Sequence, residues 1–228
     1  MGSTLRTYWA TAVLAVANAA VYIAAWAQGA DTAWLSQPGD MAAAAARPWT
    51  LLTYMFSHAY PGHLAVNLAV LIIAGALYER RAGHTGLAVA YLGGGVAGGL
   101  IFTAAASAAG SAHASLTGAS AAVLAVCAAL PASDRNIAAR LRRTPAALAA
   151  IGLGLAAILW GLRGANPGGS VAHIGGIAAG IVCGLFVRPP RRTISDHSEI
   201  LDKARTSGFA SLTDDERKKL AQPQQSDN

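Results

Sequence analysis

Four polar residues stand inside otherwise apolar stretches of the chain and are candidates for shared chemistry: His63, Asn67, Ser120 and His173. A serine hydroxyl becomes a nucleophile when a histidine takes its proton, so Ser120 and His173 form a candidate Ser-His dyad. His63 and Asn67 are four residues apart, which puts them on one helix face, where both could donate hydrogen bonds to an oxyanion. Taken singly, such a serine more often bonds its own helix, and such a histidine more often joins two helices.

The composition indicates which kind of element positions these residues. Only 12% of the 228 residues are charged, 54% are hydrophobic, and the mean hydropathy is +0.41. Of the 28 charged residues, 15 follow residue 187, which leaves the first 187 too apolar for a water-soluble surface. We therefore expect a membrane domain over residues 1–187 and a cytoplasmic tail over residues 188–228. The tail is predicted to form a short helical hairpin, with a Thr213–Glu216 capping box, and a disordered end.

Six segments approach the length of a membrane-spanning helix, which needs about 20 mostly apolar residues. They are Tyr8–Gln28, His63–Tyr78, Thr85–Ala106, Gly118–Leu130, Pro145–Leu162 and Ser170–Val187. Ten arginines lie before the first segment and in alternate connections, against two in the others, so the positive-inside rule places both termini in the cytoplasm. The predicted fold class is all-α, a polytopic bundle of six helices in a lipid bilayer. The net charge of +6 follows from this topology, and no nucleic-acid partner is indicated.

The four polar residues share one predicted depth. Ser120 and His173 each lie 15 residues before an arginine at the cytoplasmic end of their segment. At 1.5 Å per residue, all four lie roughly 21–26 Å above the cytoplasmic face of a core about 30 Å thick. The segment that carries Ser120 is short, so the polar stretch 107–117 must dip into the membrane beside a water-filled cavity. Ser120 then lies in a first helical turn, where free backbone N–H groups favour an anion.

A third, acidic catalytic residue is not expected. The acids of the first 187 residues all lie in predicted loops or at interfaces: Asp31, Asp40, Glu79 and Asp134. The site is therefore predicted as a dyad. The intramembrane histidines lack carboxylate or cysteine partners at ligand spacing, so no metal is indicated, and no cofactor is expected. His58 and His113 lie in or near outer loops and are given no chemical role.

Four motifs, in this order, resemble those of the rhomboid family of intramembrane serine proteases. The stretch 51–58 followed by His63 and Asn67 resembles the approach to the second helix and its HxxxN pair. The other three are Glu79-Arg80-Arg81, which resembles the ExR motif, Gly118-Ala119-Ser120, which resembles the GxS nucleophile loop, and Ala172-His173 with Gly176 and Gly180, which resembles the last helix. The resemblance covers nearly all of residues 1–187, and the tail resembles a small module of some bacterial rhomboids.

The resemblance implies roles for these residues. Ser120 would be the nucleophile and His173 the base, with His63, Asn67 and the Ser120 backbone N–H around the oxyanion. Structural roles would fall to Gly118, to Glu79 and Arg81, which would brace the long first loop, and to Gly176 and Gly180, which would hold the dyad helices together. The implied reaction is cleavage of single-pass membrane proteins near the outer leaflet of the cell (inner) membrane.

The chain also departs from the family pattern. Ala121 replaces the glycine that follows the nucleophile, and Leu124 replaces an aromatic residue that stacks on the base. The extra methyl of Ala121 either narrows the substrate cleft, favouring a small residue before the cut, or points into helix packing. A catalytically inactive relative that binds transmembrane segments is therefore an alternative. A transporter or channel is disfavoured because the segments below the polar layer are mostly Ala, Val, Leu, Ile and Gly, without a path of charged residues toward the cytoplasm. The oligomeric state and the physiological substrate are not fixed by the sequence.

Overall fold

The computed structural model describes residues 8–29, 31–134, 137, 139, 141, 143–144, 167–187 and 197–221. The chain divides into two compact units, Met1–Pro189 and Pro190–Asn228. The first unit contains helices α1 (Trp9–Ala27), α2 (Met41–Ala46), α3 (Thr50–Thr53, followed by the 3₁₀ turn Tyr54–Phe56), α4 (Pro61–Ala108), α5 (Ser120–Ala132) and α6 (Pro167–Phe186). Its two short strands are β1 (Gln37–Pro38) and β2 (Ser115–Leu116).

Helix α4 is two helices joined at Gly83, which has the non-helical angles φ 72° and ψ 177°. Glycine is the residue that tolerates such a positive φ, so the sequence places the break where it can form. We call the two parts α4a (residues 61–82) and α4b (residues 84–108). They correspond to the second and third predicted segments.

Among the described residues, three helices are long and apolar enough to cross a membrane: Trp9–Ala27, Pro61–Ala108 and Gly168–Phe186. The predicted helical membrane protein is thereby confirmed. Helix α5 has 13 residues and is too short for a full crossing, as expected. The predicted segment Pro145–Leu162 lies outside the described residues, so the count of six helices stays a prediction.

Small residues allow α4b, α5 and α6 to pack at close range in the first unit. An ideal Cβ on Gly94 would lie 2.1 Å from the Ala125 Cβ, and one on Gly180 would lie 2.1 Å from the Ala125 carbonyl oxygen. Any side chain at these positions would force the helices apart. Close glycine contacts of this kind are what drives helix association in lipid, where hydrophobic burial gives no advantage.

A buried polar network fastens the first loop, residues 29–60, to α4b. The Gln37 amide nitrogen donates to Thr103 Oγ1 at 2.8 Å, and the Thr50 hydroxyl donates to the Gln37 amide oxygen at 2.9 Å. Strand β1 pairs antiparallel with β2, with Gln37 opposite Leu116. The first loop and the loop that leads into α5 are thus tied to each other and to the helix bundle.

The second unit contains α7 (His197–Ser207), the 3₁₀ turn Phe209–Ser211 and α8 (Asp214–Ala221). A capping box begins α8, because the Thr213 N–H donates to the Glu216 carboxylate and the Glu216 N–H donates to Thr213 Oγ1. The Lys203 ammonium, 2.7 Å from Glu216, joins α7 to α8. Hydrogen bonds from Lys203 and from the Thr213 backbone hold the pKa of Glu216 below its ordinary value.

Candidate active site

The structure brings together Ser120 and His173, the two residues of the predicted dyad. Ser120 is the first residue of α5, and His173 lies two turns into α6. The His173 Nε2 atom and the Ser120 Oγ atom are 2.7 Å apart, which is hydrogen-bond distance. Among the described residues, the Ser120 hydroxyl has no other hydrogen-bond partner. A serine and a histidine in this arrangement can transfer a proton between Oγ and Nε2.

Two glycines of α6 bring the dyad helices into contact. An ideal Cβ on Gly176 would lie 2.2 Å from the Ala121 carbonyl oxygen, and the corresponding atom on Gly180 would meet α5 one turn further along. Both contacts are with backbone atoms, which cannot move aside as a flexible side chain can. The Ser120–His173 distance therefore depends on the absence of side chains at these two positions.

The backbone before Ser120 makes a turn that needs glycine. Gly118 has φ 107°, a conformation that other residues rarely adopt. Helix α5 has no side-chain cap at its N-terminus. The backbone N–H groups of its first turn are therefore available to a developing negative charge, which the helix dipole also favours.

His63 lies directly against this turn. An ideal Cβ on Gly118 would lie 2.4 Å from Cε1 of the His63 ring, so the ring occupies the space that a side chain would fill. The Asn67 side-chain amide donates to the His63 backbone carbonyl at 2.9 Å. The structure thus places His63 beside the loop Gly118-Ala119-Ser120. Asn67 lies one turn further along the helix, and one of its two amide N–H groups is bonded to the His63 carbonyl.

The nucleophile loop, Gly118-Ala119-Ser120, is held by the segment that precedes α4. The Gly118 N–H donates to the Tyr54 carbonyl at 2.9 Å, and the Ala119 N–H donates to His58 Nε2 at 3.4 Å. His58 is only 6% exposed. His58, to which the sequence assigned no chemical role, therefore contacts the loop before Ser120. Its position just ahead of the helix that carries His63 was the available signal.

The comparisons with known proteins agree with the motifs. The family model of the Rhomboid domain matches residues 45–190, more than half of the chain. The chain belongs to the rhomboid family. Rhomboids are generally intramembrane serine proteases. No curated protein matches the sequence.

The rhomboid's departure at Ala121 is explained by helix packing. Ala121 is 1% exposed, and an ideal Cβ on Gly98 would lie 2.7 Å from the Ala121 Cβ. The Ala121 methyl thus occupies space that Gly98 of α4b leaves free. Of the two expectations for this methyl, a narrower substrate cleft is the wrong one, because the methyl points into the bundle.

Glu79 and Arg81 act at the other end of α4a. Glu79 accepts hydrogen bonds from the backbone N–H groups of Ala10 and Thr11, both at 2.9 Å, and so caps the start of α1. Arg81 pairs with Asp134 at 2.9 Å, just beyond the end of α5. The expectation that the two residues brace the first loop is wrong for the contacts described. Their position 18 and 20 residues after Pro61 places them about 27–30 Å along the helix from the loop.

The described residues contain no group of three or more His, Cys, Asp or Glu side chains that could hold a metal ion. The histidines near Ser120 contact one another, backbone groups and the serine. His58 and His63 meet edge to face, with ring centroids 5.2 Å apart. The chemistry that this arrangement offers is proton transfer and hydrogen-bond donation.

Proposed function

We propose that this rhomboid is a serine endopeptidase that cleaves transmembrane-anchored proteins near the outer leaflet of the membrane. The observation that carries the proposal is the 2.7 Å contact between Ser120 Oγ and His173 Nε2, on two helices held together by glycine. Among the described residues no carboxylate bonds to His173, and a hydrogen bond from a serine to such a histidine supports a dyad mechanism rather than a triad.

The first half of the reaction forms an acyl-enzyme. His173 Nε2 takes the proton of the Ser120 hydroxyl while Oγ attacks the carbonyl carbon of the scissile peptide bond. The carbonyl oxygen becomes an oxyanion, which accepts hydrogen bonds from the Ser120 backbone N–H and from the His63 ring. His173 then gives its proton to the leaving amine nitrogen as the C–N bond breaks.

The second half of the reaction restores the enzyme. A water molecule gives a proton to His173 and attacks the acyl carbon, and the resulting oxyanion is bound by the same donors. The C–O bond to Ser120 breaks, and Oγ recovers its proton from His173. The peptide's new carboxylate then leaves the site.

The substrate class follows from the setting of the dyad. Ser120 begins a 13-residue helix within a membrane bundle, so the peptide bond must enter from the membrane or from its surface. Single-pass membrane proteins meet this requirement. The resemblance to bacterial rhomboids implies a cell (inner) membrane location. The distribution of arginines supports cytoplasmic termini, which puts the dyad toward the outer leaflet.

The test uses the full chain in liposomes with a single-pass model substrate. Ser120→Ala should abolish cleavage, His173→Ala should be nearly as severe, and the double variant hardly worse, because members of a dyad act as a unit. Ser111→Ala, at an exposed serine of the preceding loop, is the matched control and should cleave as the unmodified protein does. Cleavage by Ser120→Ala above the level of protein-free liposomes would contradict the assignment.

A further inference from the structure

We propose that His58 is a positioning residue, whose ring fixes the Gly118–Ala119 peptide group and thereby aims the Ser120 backbone N–H, in the next peptide group, that binds the oxyanion. The proposal rests on the proposed function, because it assigns His58 to the same reaction. His58 does not touch the reacting atoms, and it acts through Ala119 and His63.

Two contacts connect the His58 ring to the site. Its Nε2 atom accepts the Ala119 N–H at 3.4 Å, and its edge meets the ring of His63 at a centroid distance of 5.2 Å and an interplanar angle of 68°. His63 in turn lies against Gly118. One buried ring therefore contacts the residue before the nucleophile and a residue proposed to bind the oxyanion.

The Ala119 N–H matters because of the backbone geometry around it. Peptide groups are planar, so the hydrogen bonds of the Gly118 N–H to Tyr54 and of the Ala119 N–H to His58 fix the planes on both sides of Gly118. Gly118 has φ 107°, and glycine alone gives the turn no stiffness. The Tyr54 carbonyl and the His58 ring, which accept these two hydrogen bonds, supply the restraint. Because the Ser120 N–H belongs to the next peptide group, its direction depends on the planes that they fix.

The same contact defines the protonation state of the His58 ring. A nitrogen that accepts a hydrogen bond carries no proton, so in the neutral ring the proton lies on Nδ1. Burial, together with the neighbouring His63, lowers the pKa of His58 to about 4, against a smaller opposing effect of the Phe56 backbone. At neutral pH the ring is therefore uncharged and Nε2 keeps its lone pair for Ala119.

The other side of the His58 segment borders a cavity. Ser57 and His58 line a space of about 270 Å³ together with Tyr22 and Trp26 of α1. Ser57 Oγ and His58 Nδ1 are both buried, and neither atom makes a hydrogen bond of normal geometry to the described residues. His58 also interacts with the Phe56 backbone, but not at the geometry of a hydrogen bond. The cavity has room for water, which can accept the Nδ1 proton and so support the same tautomer.

Two substitutions separate positioning from packing. His58→Phe keeps the volume of a ring but removes the acceptor, whereas His58→Gln offers an amide oxygen near the position of Nε2. Positioning predicts that His58→Phe lowers kcat and the rate of fluorophosphonate labelling at Ser120 together, by about 10- to 100-fold. A positioning role also predicts that KM is unchanged in His58→Phe, and that kcat and the labelling rate recover substantially in His58→Gln. A packing role predicts the opposite order of the two variants.

His113→Phe is the matched control, because this histidine is exposed in the loop before α5 and should label and cleave at the unmodified rate. The proposal is overturned if His58→Phe labels as fast as the unmodified protein, or if His58→Gln labels no faster than His58→Phe. An unmodified protein that does not label at all would instead contradict the proposed function.

The tautomer provides a readout that does not depend on activity. In the full chain labelled with ¹⁵N-histidine, the signals lost in His58→Gln identify the His58 ring. We expect the nitrogen shifts of a neutral ring protonated on Nδ1 at pH 7. A ring protonated on Nε2, or a charged ring, could not accept the Ala119 N–H and would overturn the proposal even in a protein that cleaves its substrate.

Discussion

Two polar groups near the opposite ends of α4a differ in how far their hydrogen bonds are satisfied. At one end Glu79, 2% exposed, accepts hydrogen bonds from the Ala10 N–H, the Thr11 N–H, the Thr11 hydroxyl and the His84 ring. At the other end, within the described residues, the Ser120 hydroxyl bonds only to His173. The carboxylate is saturated with donors, whereas the hydroxyl, whose proton is directed to His173 Nε2, has lone pairs that accept no hydrogen bond from the described residues.

Under the proposed function, this difference separates a structural site from a reactive one. A buried group whose hydrogen bonds are all satisfied lowers the energy of one conformation and has nothing left for a substrate. A group with one partner, beside free N–H groups at a helix start, can bind what arrives. Substitutions at the Glu79 end should therefore change stability, and those at the Ser120 end should change rate.

Among substitutions that keep both Ser120 and His173, the largest effect is expected for His63→Ala. The loss of one oxyanion donor slows turnover by about 100- to 1000-fold, since such a donor contributes mainly in the transition state. Asn67→Ala should cost less, because its amide is partly engaged by the His63 carbonyl. Cleavage rates in liposomes and unfolding midpoints measure both effects. Unchanged cleavage in both variants would show that the pair is only structural.

A smaller change, in stability rather than rate, is expected for Glu79→Ala. The Ala10 and Thr11 N–H groups lose their acceptor, and leaving buried donors unsatisfied costs about 1–3 kcal/mol. The unfolding free energy in detergent should fall by this amount, while the folded fraction cleaves at the unmodified rate. Arg80→Ala, at the exposed neighbouring residue, is the control and should leave both quantities unchanged. A variant that keeps its stability but loses its rate would reverse the comparison.

The smallest effect is expected for Ala121→Gly. Because the methyl packs against Gly98, its removal should leave the preference for residues before the scissile bond unchanged. Stability should fall by about 1 kcal/mol, the difference in helix propensity between alanine and glycine. Substrates that differ only at that residue measure the preference. A shift in their relative rates would place the methyl in the cleft after all.

The proximity of Ser120 and His173 was predictable because helices have a fixed rise. Counting residues from the arginines put Ser120 and His173 at one depth, and the structure brings them to 2.7 Å. The contact between His58 and Ala119 was not predictable in this way, since it joins two irregular segments whose directions no periodicity sets. The pairing of Gln37 with Thr103 likewise links residues 66 apart. For Glu79, the sequence placed an acid at the end of a helix but did not show which helix it caps.

Covalent labelling of Ser120 by a fluorophosphonate probe tests most directly whether His173 activates this serine. The full chain in lipid is treated with the probe, and the modified residue and its rate of modification are determined by mass spectrometry. We predict modification at Ser120 in the unmodified protein, with a strongly reduced rate in His173→Ala. Absence of label at Ser120 in the folded protein, or equal rates with and without His173, would contradict the dyad.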